Sequence, residues 1–404
     1  MKIACRTIKM DSAPDLVELV PEKRGFAWLA EGTSLVGLGQ TAVIHPGTGP
    51  DRFERAAASL ESIFASAQID DEVDLPGSGP VAFGGFAFDQ RSSESVLIVP
   101  KTIYGRGDGV AWKTEIEITP SDDDTDNDET PIAGTGPTTD AASITDSAWI
   151  AQIKVAKTAI DAGTIEKVVL AREVRIEAES ELRRIEIVRK LALAFPGCFT
   201  FALGDLVGAS PELLVRRLGD TVDSIPLAGS ARRGADPHED ETLGKALKSS
   251  MKNRLEHDLT VASVIDALRP VCSELVAEPE PSLLVLANVQ HLSTKVQGRL
   301  NRPIDALRLA GLMHPTAAVC GIPQRQALDL IRRTERFDRG PYAGPIGWVD
   351  HRGDGEWAIA LRCARITGST ALVWAGAGIV ADSDPQDELE EVNLKLEAMF
   401  QALC

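Results

Sequence analysis

Positive charge is scarce in this sequence. Its 404 residues include 42 Lys and Arg against 60 Asp and Glu, a net charge of −18. Such an acidic surface excludes nucleic acid and anionic membrane as partners, because both need clustered Lys and Arg facing phosphate. Paired cysteine is missing as well. Cys5, Cys198, Cys272, Cys320, Cys363 and Cys404 are scattered and contain no CxxC pair. That excludes a disulfide framework or a zinc ribbon and predicts reduced, mostly buried thiols. Long hydrophobic runs are also lacking: the stretch from Ala371 to Ala381 is about half a membrane span and stops at Asp382. The first twenty residues have no signal-peptide core. A soluble, cytoplasmic protein is the expectation.

Several chemical signatures are absent too. There is no dinucleotide-binding glycine fingerprint, no P-loop, no GxSxG elbow and no HExxH pair. The histidines His45, His238, His257, His291, His314 and His351 lack metal-ligand spacing. What is present is apolar material for a large core, 44% of the chain, which excludes global disorder. Length fits roughly two or three domains of ~150 residues, or one large unit.

Residues 1–120 mix short β-like runs (VAFGGFAF over Val81 to Phe88, SVLIVPKTIYG, VAWKTEIEITP) with one helical pattern carrying Phe53, Ala56, Leu60 and Phe64. Residues 121–145 form an acidic, Gly/Pro/Thr-rich segment, read as an exposed loop without EF-hand order. From Asp146 the elements are denser. A helix stops at Gly163, and the strand EKVVLAREVRIEA follows. A helix spans 181–195, and one continuous helix runs through LGKALKSSMKNRLEHDLTVASVIDALRP to Pro270. Helices over Ala306 to Met313 and from Gln324 precede a β-rich segment and the last helix. Antiparallel strands with long helices between them predict a layered α+β fold, with residues 146–404 as its catalytic portion.

Four places could carry chemistry. In the last helix Ser383 or Asp384 can cap and Pro385 suits the first turn. There Glu388, Glu391 and Lys395 share a sector flanked by the apolar Val392, Leu396 and Met399. Glu256 lies on another helix beside Leu255, Leu259 and Ala262, read as its buried face. Two glutamates meeting across a cleft would make a hard-oxygen site suited to Mg²⁺. Lys167 opens a strand and shares a face with Val169 and Ala171, where burial would make it a usable base. Glu212 precedes an apolar strand, where desolvation would suit a general acid. Each feature alone also fits a plainer reading, a solvated ion pair or a snorkelling lysine.

Together these stretches resemble the chorismate-utilising enzymes. The blocks are IEKVVLARE, GASPELLVRR, PLAGSARRG, EHDLTV, VQHLST, HPTAAVCGIP, RGPYAGPIGW, GEWAIALRCARI and AGAGIVADSDPQDELEEVNLK, from about Ala148 to the C-terminus. The first ~120 residues match only through GGFAF. The resemblance implies a fold of antiparallel sheets packed together with helices outside. Within the family the isochorismate synthases look most similar. By that resemblance Lys167 is the base activating water and Glu212 the acid protonating the departing hydroxyl. Glu256 and Glu391 are Mg²⁺ ligands, with Glu388 acting through water. Tyr342, Arg362, Gly378 and Lys395 hold the enolpyruvyl carboxylate of chorismate, and Gly229, His291 and Ala318 line the pocket. Such a site would hold a dianion inside a chain of net charge −18.

The product depends on few positions. Ala228 stands where some aminodeoxychorismate synthases carry a nucleophilic lysine. Anthranilate synthases lack a match to Lys167, and salicylate synthases carry Thr at Ala318. The chain departs from many relatives at Ala317, where Pro is frequent, and Asn253 replaces an acid found in some salicylate formers. The expectation is a monomeric Mg²⁺-dependent isomerase serving menaquinone, siderophore or salicylate synthesis. Its rivals are a salicylate synthase and a non-catalytic binding relative.

Overall fold

The structure, a computed structural model, describes residues 2–23, 25–119 and 144–404. All but the last two residues of the acidic segment therefore lie outside the described residues. Two large sheets form the frame. The twelve-stranded sheet has Gly321–Ile322 and Ala67–Asp71 at its edges. Six of its strands precede residue 120 and six follow residue 166. The nine-stranded sheet runs from Cys272–Ala277 to Ala42–Ile44 and also draws strands from both parts of the chain. A third sheet joins Leu227–Arg232, Val289–Ser293 and Ser282–Val285. Among the described residues, strand pairs are antiparallel except Lys2–Met10 with Ala67–Asp71.

The large sheets pack face to face. Phe26 of one stacks on Phe83 of the other, with ring centroids 3.8 Å apart. Trp28, Trp112, Trp149, Trp348 and Trp357 are fully buried. The strand Lys167–Glu177 shows how the sequence specifies its place. Its first six residues are all buried, so the near-continuous apolar run KVVLA reads as a strand covered on both sides.

Among the described residues eight helices cover the sheets. They are α1 (Arg52–Ala65), α2 (Asp146–Asp161), α3 (Arg184–Ala194), α4 (Pro237–Ser249), α5 (Met251–Leu268), α6 (Ala306–Met313), α7 (Gln324–Thr334) and α8 (Pro385–Leu403). None of the described helices is long and apolar enough to cross a membrane. This is the α+β architecture of sheets and outer helices that the sequence predicts.

Two local expectations are corrected. The helix read as continuous to Pro270 breaks at Ser250, whose ψ of 116° leaves helical space and whose hydroxyl caps Asn253 N–H of α5. Second, α5 buries His257, Thr260, Val264 and Leu268, while Leu255 is 56% exposed and Ala262 faces solvent. The two polar residues on that face have partners: His257 Nε2 lies 2.7 Å from Thr294 Oγ1, and Thr260 Oγ1 accepts from Lys167 Nζ at 3.0 Å. The C-terminal helix follows expectation. Asp384 caps it through the N–H groups of Gln386 and Asp387, with Pro385 in the first turn. The described cysteines are all free, and Cys5, Cys198, Cys320 and Cys363 are buried.

Candidate active site

Lys167 is the first residue of its strand and is fully buried. Its Nζ donates to Thr260 Oγ1 at 3.0 Å and pairs with Glu256 Oε1 at 3.1 Å, both on α5. Thr260 in turn donates to the Glu256 carbonyl at 3.0 Å, so its hydroxyl oxygen is free to accept from the lysine. The neighbouring strand Thr370–Ile379 sets Gly378 opposite Val169. A Cβ on Gly378 would lie 2.0 Å from Glu256 Oε1, so a larger residue there would displace that carboxylate from its present place.

On α8, Glu391 Oε1 accepts from Lys395 Nζ at 2.6 Å, and the same ammonium donates to the Gly376 carbonyl at 3.0 Å. Burial opposes ionisation of Glu391, yet Lys395 beside it holds the carboxyl below its ordinary range. Glu388, one turn earlier, is buried and accepts from Lys252 Nζ at 2.8 Å. Burial and the nearby Glu391 charge push its carboxyl up despite that partner.

Across the cavity, Arg362 takes an uncommon left-handed backbone, φ +45°, between two strands, and its buried Nη1 has no partner. Its Nη2 donates to His291 Nε2 at 2.8 Å. Since Nε2 must accept there, the ring proton sits on Nδ1, within reach of Ser230 Oγ (3.1 Å) and the Gly229 carbonyl (3.3 Å). Burial, with Arg362 and Lys395 nearby, holds His291 well below the usual histidine range, so the ring is neutral. Gly229 has φ +75° at an irregularity of its strand, a conformation that favours glycine. Tyr342 is buried and stacks on Trp374 at 5.9 Å. Glu212 is also buried, and burial pushes its carboxyl up to about 8, against the Leu227 N–H and the charges of Lys167 and Lys395.

Of the candidate site residues, all but Lys167 and Glu388 line one cavity. Lys167 lies against Glu256, a cavity-lining residue, and Glu388 sits one turn from Glu391. Ala318 is part of the wall. Among the described residues no three His, Cys, Asp or Glu side chains converge into a metal cage by themselves. The donor chemistry still fits Mg²⁺, which takes one or two carboxylates and keeps waters or substrate oxygens as its other ligands. Glu256 and Glu391 offer that pair from two helices, and the missing Cβ at Gly378 keeps space beside the first.

The sequence profile described as "Chorismate binding enzyme" matches residues 16–104 and 108–404. The chain belongs to this family. The isochorismate synthase MenF of Bacillus subtilis is 34% identical over 407 residues, covering 92% of this chain and 85% of the relative. Among solved structures, DhbC of Bacillus anthracis aligns with a TM-score of 0.80 at 31% identity, over 96% of this chain and 98% of its own. MenF of Escherichia coli, a menaquinone-specific isochorismate synthase, aligns with a TM-score of 0.80 at 25% identity, over 100% of this chain and 95% of its own. The match thus reaches well before Ala148. N-terminal strands share both large sheets with the site-bearing strands, although their own motifs are weak.

Four polar groups at the cavity of this chorismate-binding enzyme escape the sequence reading. Ser230 and Arg339 line it, and Thr260 and Lys252 stand beside its glutamates. Arg339 donates to the Val319 and Val169 carbonyls and pairs with Glu335, tying the Ala318 loop to the Lys167 strand. Lys252 did leave a signal: it stands four residues before Glu256 on the same helix face.

Proposed function

We propose that this chorismate-binding enzyme is a Mg²⁺-dependent isochorismate synthase, a cytoplasmic monomer acting on free chorismate. Water adds at C2 of the ring and the C4 hydroxyl leaves. The observation that carries this reading is a cavity lined by the buried carboxyl of Glu212, with the buried Lys167 behind its wall. Glu212, with its pKa raised to about 8 by burial, keeps its proton at neutral pH and gives it to the departing hydroxyl. Lys167 takes the proton of the attacking water, its Nζ held in place by Thr260 and Glu256.

The remaining groups receive a dianion. Arg362 Nη1, free of protein partners, takes the enolpyruvyl carboxylate together with Tyr342, Lys395 and the backbone at Gly378. Neutral His291, on the Gly229 carbonyl, keeps the other arm of Arg362 in place. Glu256 and Glu391 would hold Mg²⁺, with Glu388 engaging through water. Once bound, the ion supplies positive charge that fixes the ring carboxylate. The names of the relatives support the same reading.

Incubation with chorismate and Mg²⁺, followed by chromatography of the products, tests the function: isochorismate as the main product supports it, and unchanged chorismate sinks it. Glu256→Gln or Glu391→Gln removes one anionic ligand at constant volume. Each variant should need more Mg²⁺ for activity, by about tenfold or more, and should still fold. A parent enzyme indifferent to chelator would remove the metal from this scheme.

The Ala318 wall decides how far the reaction goes. Pyruvate loss, giving salicylate, needs the enolpyruvyl arm held in a near-attack pose over the ring. A methyl group offers nothing polar to hold it, so salicylate should be at most a slow side product. Ala318→Thr should raise the salicylate fraction and slow turnover, measured as a product ratio at matched chorismate consumption. A parent enzyme making mostly salicylate would replace this reading with a synthase-lyase.

A further inference from the structure

Each carboxylate assigned above to the metal already faces a lysine. Lys167 pairs with Glu256 at 3.1 Å, Lys395 with Glu391 at 2.6 Å and Lys252 with Glu388 at 2.8 Å. Lys395 and Lys252 bring ammonium charge to the cluster, while Lys167 must be unprotonated to act as the base. Two of these lysines have tasks in the proposed reaction, Lys167 at the attacking water and Lys395 at the substrate carboxylate. Lys252 has none. It comes from the first turn of α5. Its Nζ lies 2.8 Å from Glu388 Oε1. Glu391 follows Glu388 by one turn of α8, and Glu256 follows Lys252 by one turn of α5, so this ammonium stands among all three carboxylates. Its partner Glu388 is only 2% exposed and therefore depends on a cation placed there.

A divalent ion entering this cluster meets carboxylates already paired with lysines, among them the Lys252 ammonium, whose field repels it. A dianionic substrate entering at the same time offsets the added positive charge. The metal alone is therefore opposed by Lys252, and the metal with substrate is not.

We propose that Lys252 is a built-in counter-ion of the metal site, holding Glu388 and Glu391 as a cation would and keeping Mg²⁺ binding weak until the dianionic substrate arrives. The inference rests on the Mg²⁺ reading of Glu256 and Glu391. A role in folding alone would make no difference to metal affinity.

The test is titration calorimetry of the full-length protein with MgCl₂ in the absence of substrate, comparing the parent with Lys252→Met, Lys252→Gln and Lys252→Arg. Removing the ammonium should tighten the Mg²⁺ Kd by about tenfold or more, since a neighbouring unit charge acts strongly at an effective dielectric constant near ~20. Lys252→Arg keeps the charge and should bind as weakly as the parent. In EDTA, Lys252→Met and Lys252→Gln should unfold at lower temperature than the parent, and added Mg²⁺ should raise that temperature more than it does in the parent. Unchanged or weaker Mg²⁺ binding by both neutral variants, in an enzyme whose activity is abolished by chelator, overturns the counter-ion role alone. A parent whose activity survives chelator overturns the metal reading and this inference with it.

Discussion

Lys167→Ala should lower isochorismate formation by about 10²–10⁴-fold, the usual contribution of a positioned acid or base. Chorismate binding should survive. The lysine is fully buried and held by Thr260 and Glu256, while the groups assigned to the substrate's carboxylates are other residues. Its loss therefore removes the proton acceptor and leaves the cationic walls around Arg362 and Lys395 intact. Single-turnover measurements should show a slow chemical step, and equilibrium binding of chorismate should change little. Because Lys167 also pairs with Glu256, the Mg²⁺ requirement needs measuring in the same variant. Lys167→Gln, which keeps a hydrogen-bond donor toward Thr260, should be equally slow. Near-normal turnover in either variant would remove Lys167 from the reaction.

Glu212→Gln should fall by a similar factor of about 10²–10⁴, and here pH adds a second readout. The parent should be fast where Glu212 is protonated and lose rate as pH rises through about 8. In the Gln variant the slow residual rate should lack that alkaline limb. Stability of the parent should also fall as pH rises. The folded carboxyl keeps its proton up to about 8, whereas in the unfolded chain it releases it near its ordinary value of 4.5. The unfolded state therefore binds fewer protons across that window, and the parent loses stability as pH rises from about 4.5 to 8. Glu212→Gln removes this loss. The variant should unfold at a higher temperature than the parent at pH 8–9, with the difference shrinking toward pH 4.5. A parent profile flat to pH 10, or a variant less stable than the parent at every pH, would contradict the buried-acid role.

The parts of the fold legible in the sequence are those where local chemistry and tertiary demand agree. The α8 start shows this: Asp384, Pro385 and the acids of the first turn each favour a helix end, and the helix begins there. The Lys167 strand was legible because an apolar run at its start suits a strand buried on both sides. The sector formed by Glu388, Glu391 and Lys395 followed from helical geometry alone, and Lys395 does reach Glu391.

The break at Ser250 is local and turns on the cap of Ser250 on Asn253, three residues on. Elsewhere the deciding contact comes from far along the chain. Apolar spacing on α5 favours Leu255 and Ala262. The packing instead selects His257 and Thr260, whose partners Thr294 and Lys167 lie 37 and 93 positions away. Arg362 and His291 could be named from family blocks, but their mutual hydrogen bond, and with it the neutral tautomer of the ring, needed the fold. The same holds for Lys252, whose partner Glu388 is 136 positions away.

The central claim is that a water oxygen enters at C2 as the C4 hydroxyl leaves. Isotope labelling tests it most directly: the enzyme, chorismate and Mg²⁺ are incubated briefly in H₂¹⁸O, and the isolated product is analysed by mass spectrometry and NMR. One ¹⁸O atom at C2 of isochorismate is the predicted result. Isochorismate free of label would mean that the original hydroxyl migrates within the substrate, and the roles given to Lys167 and Glu212 would be wrong.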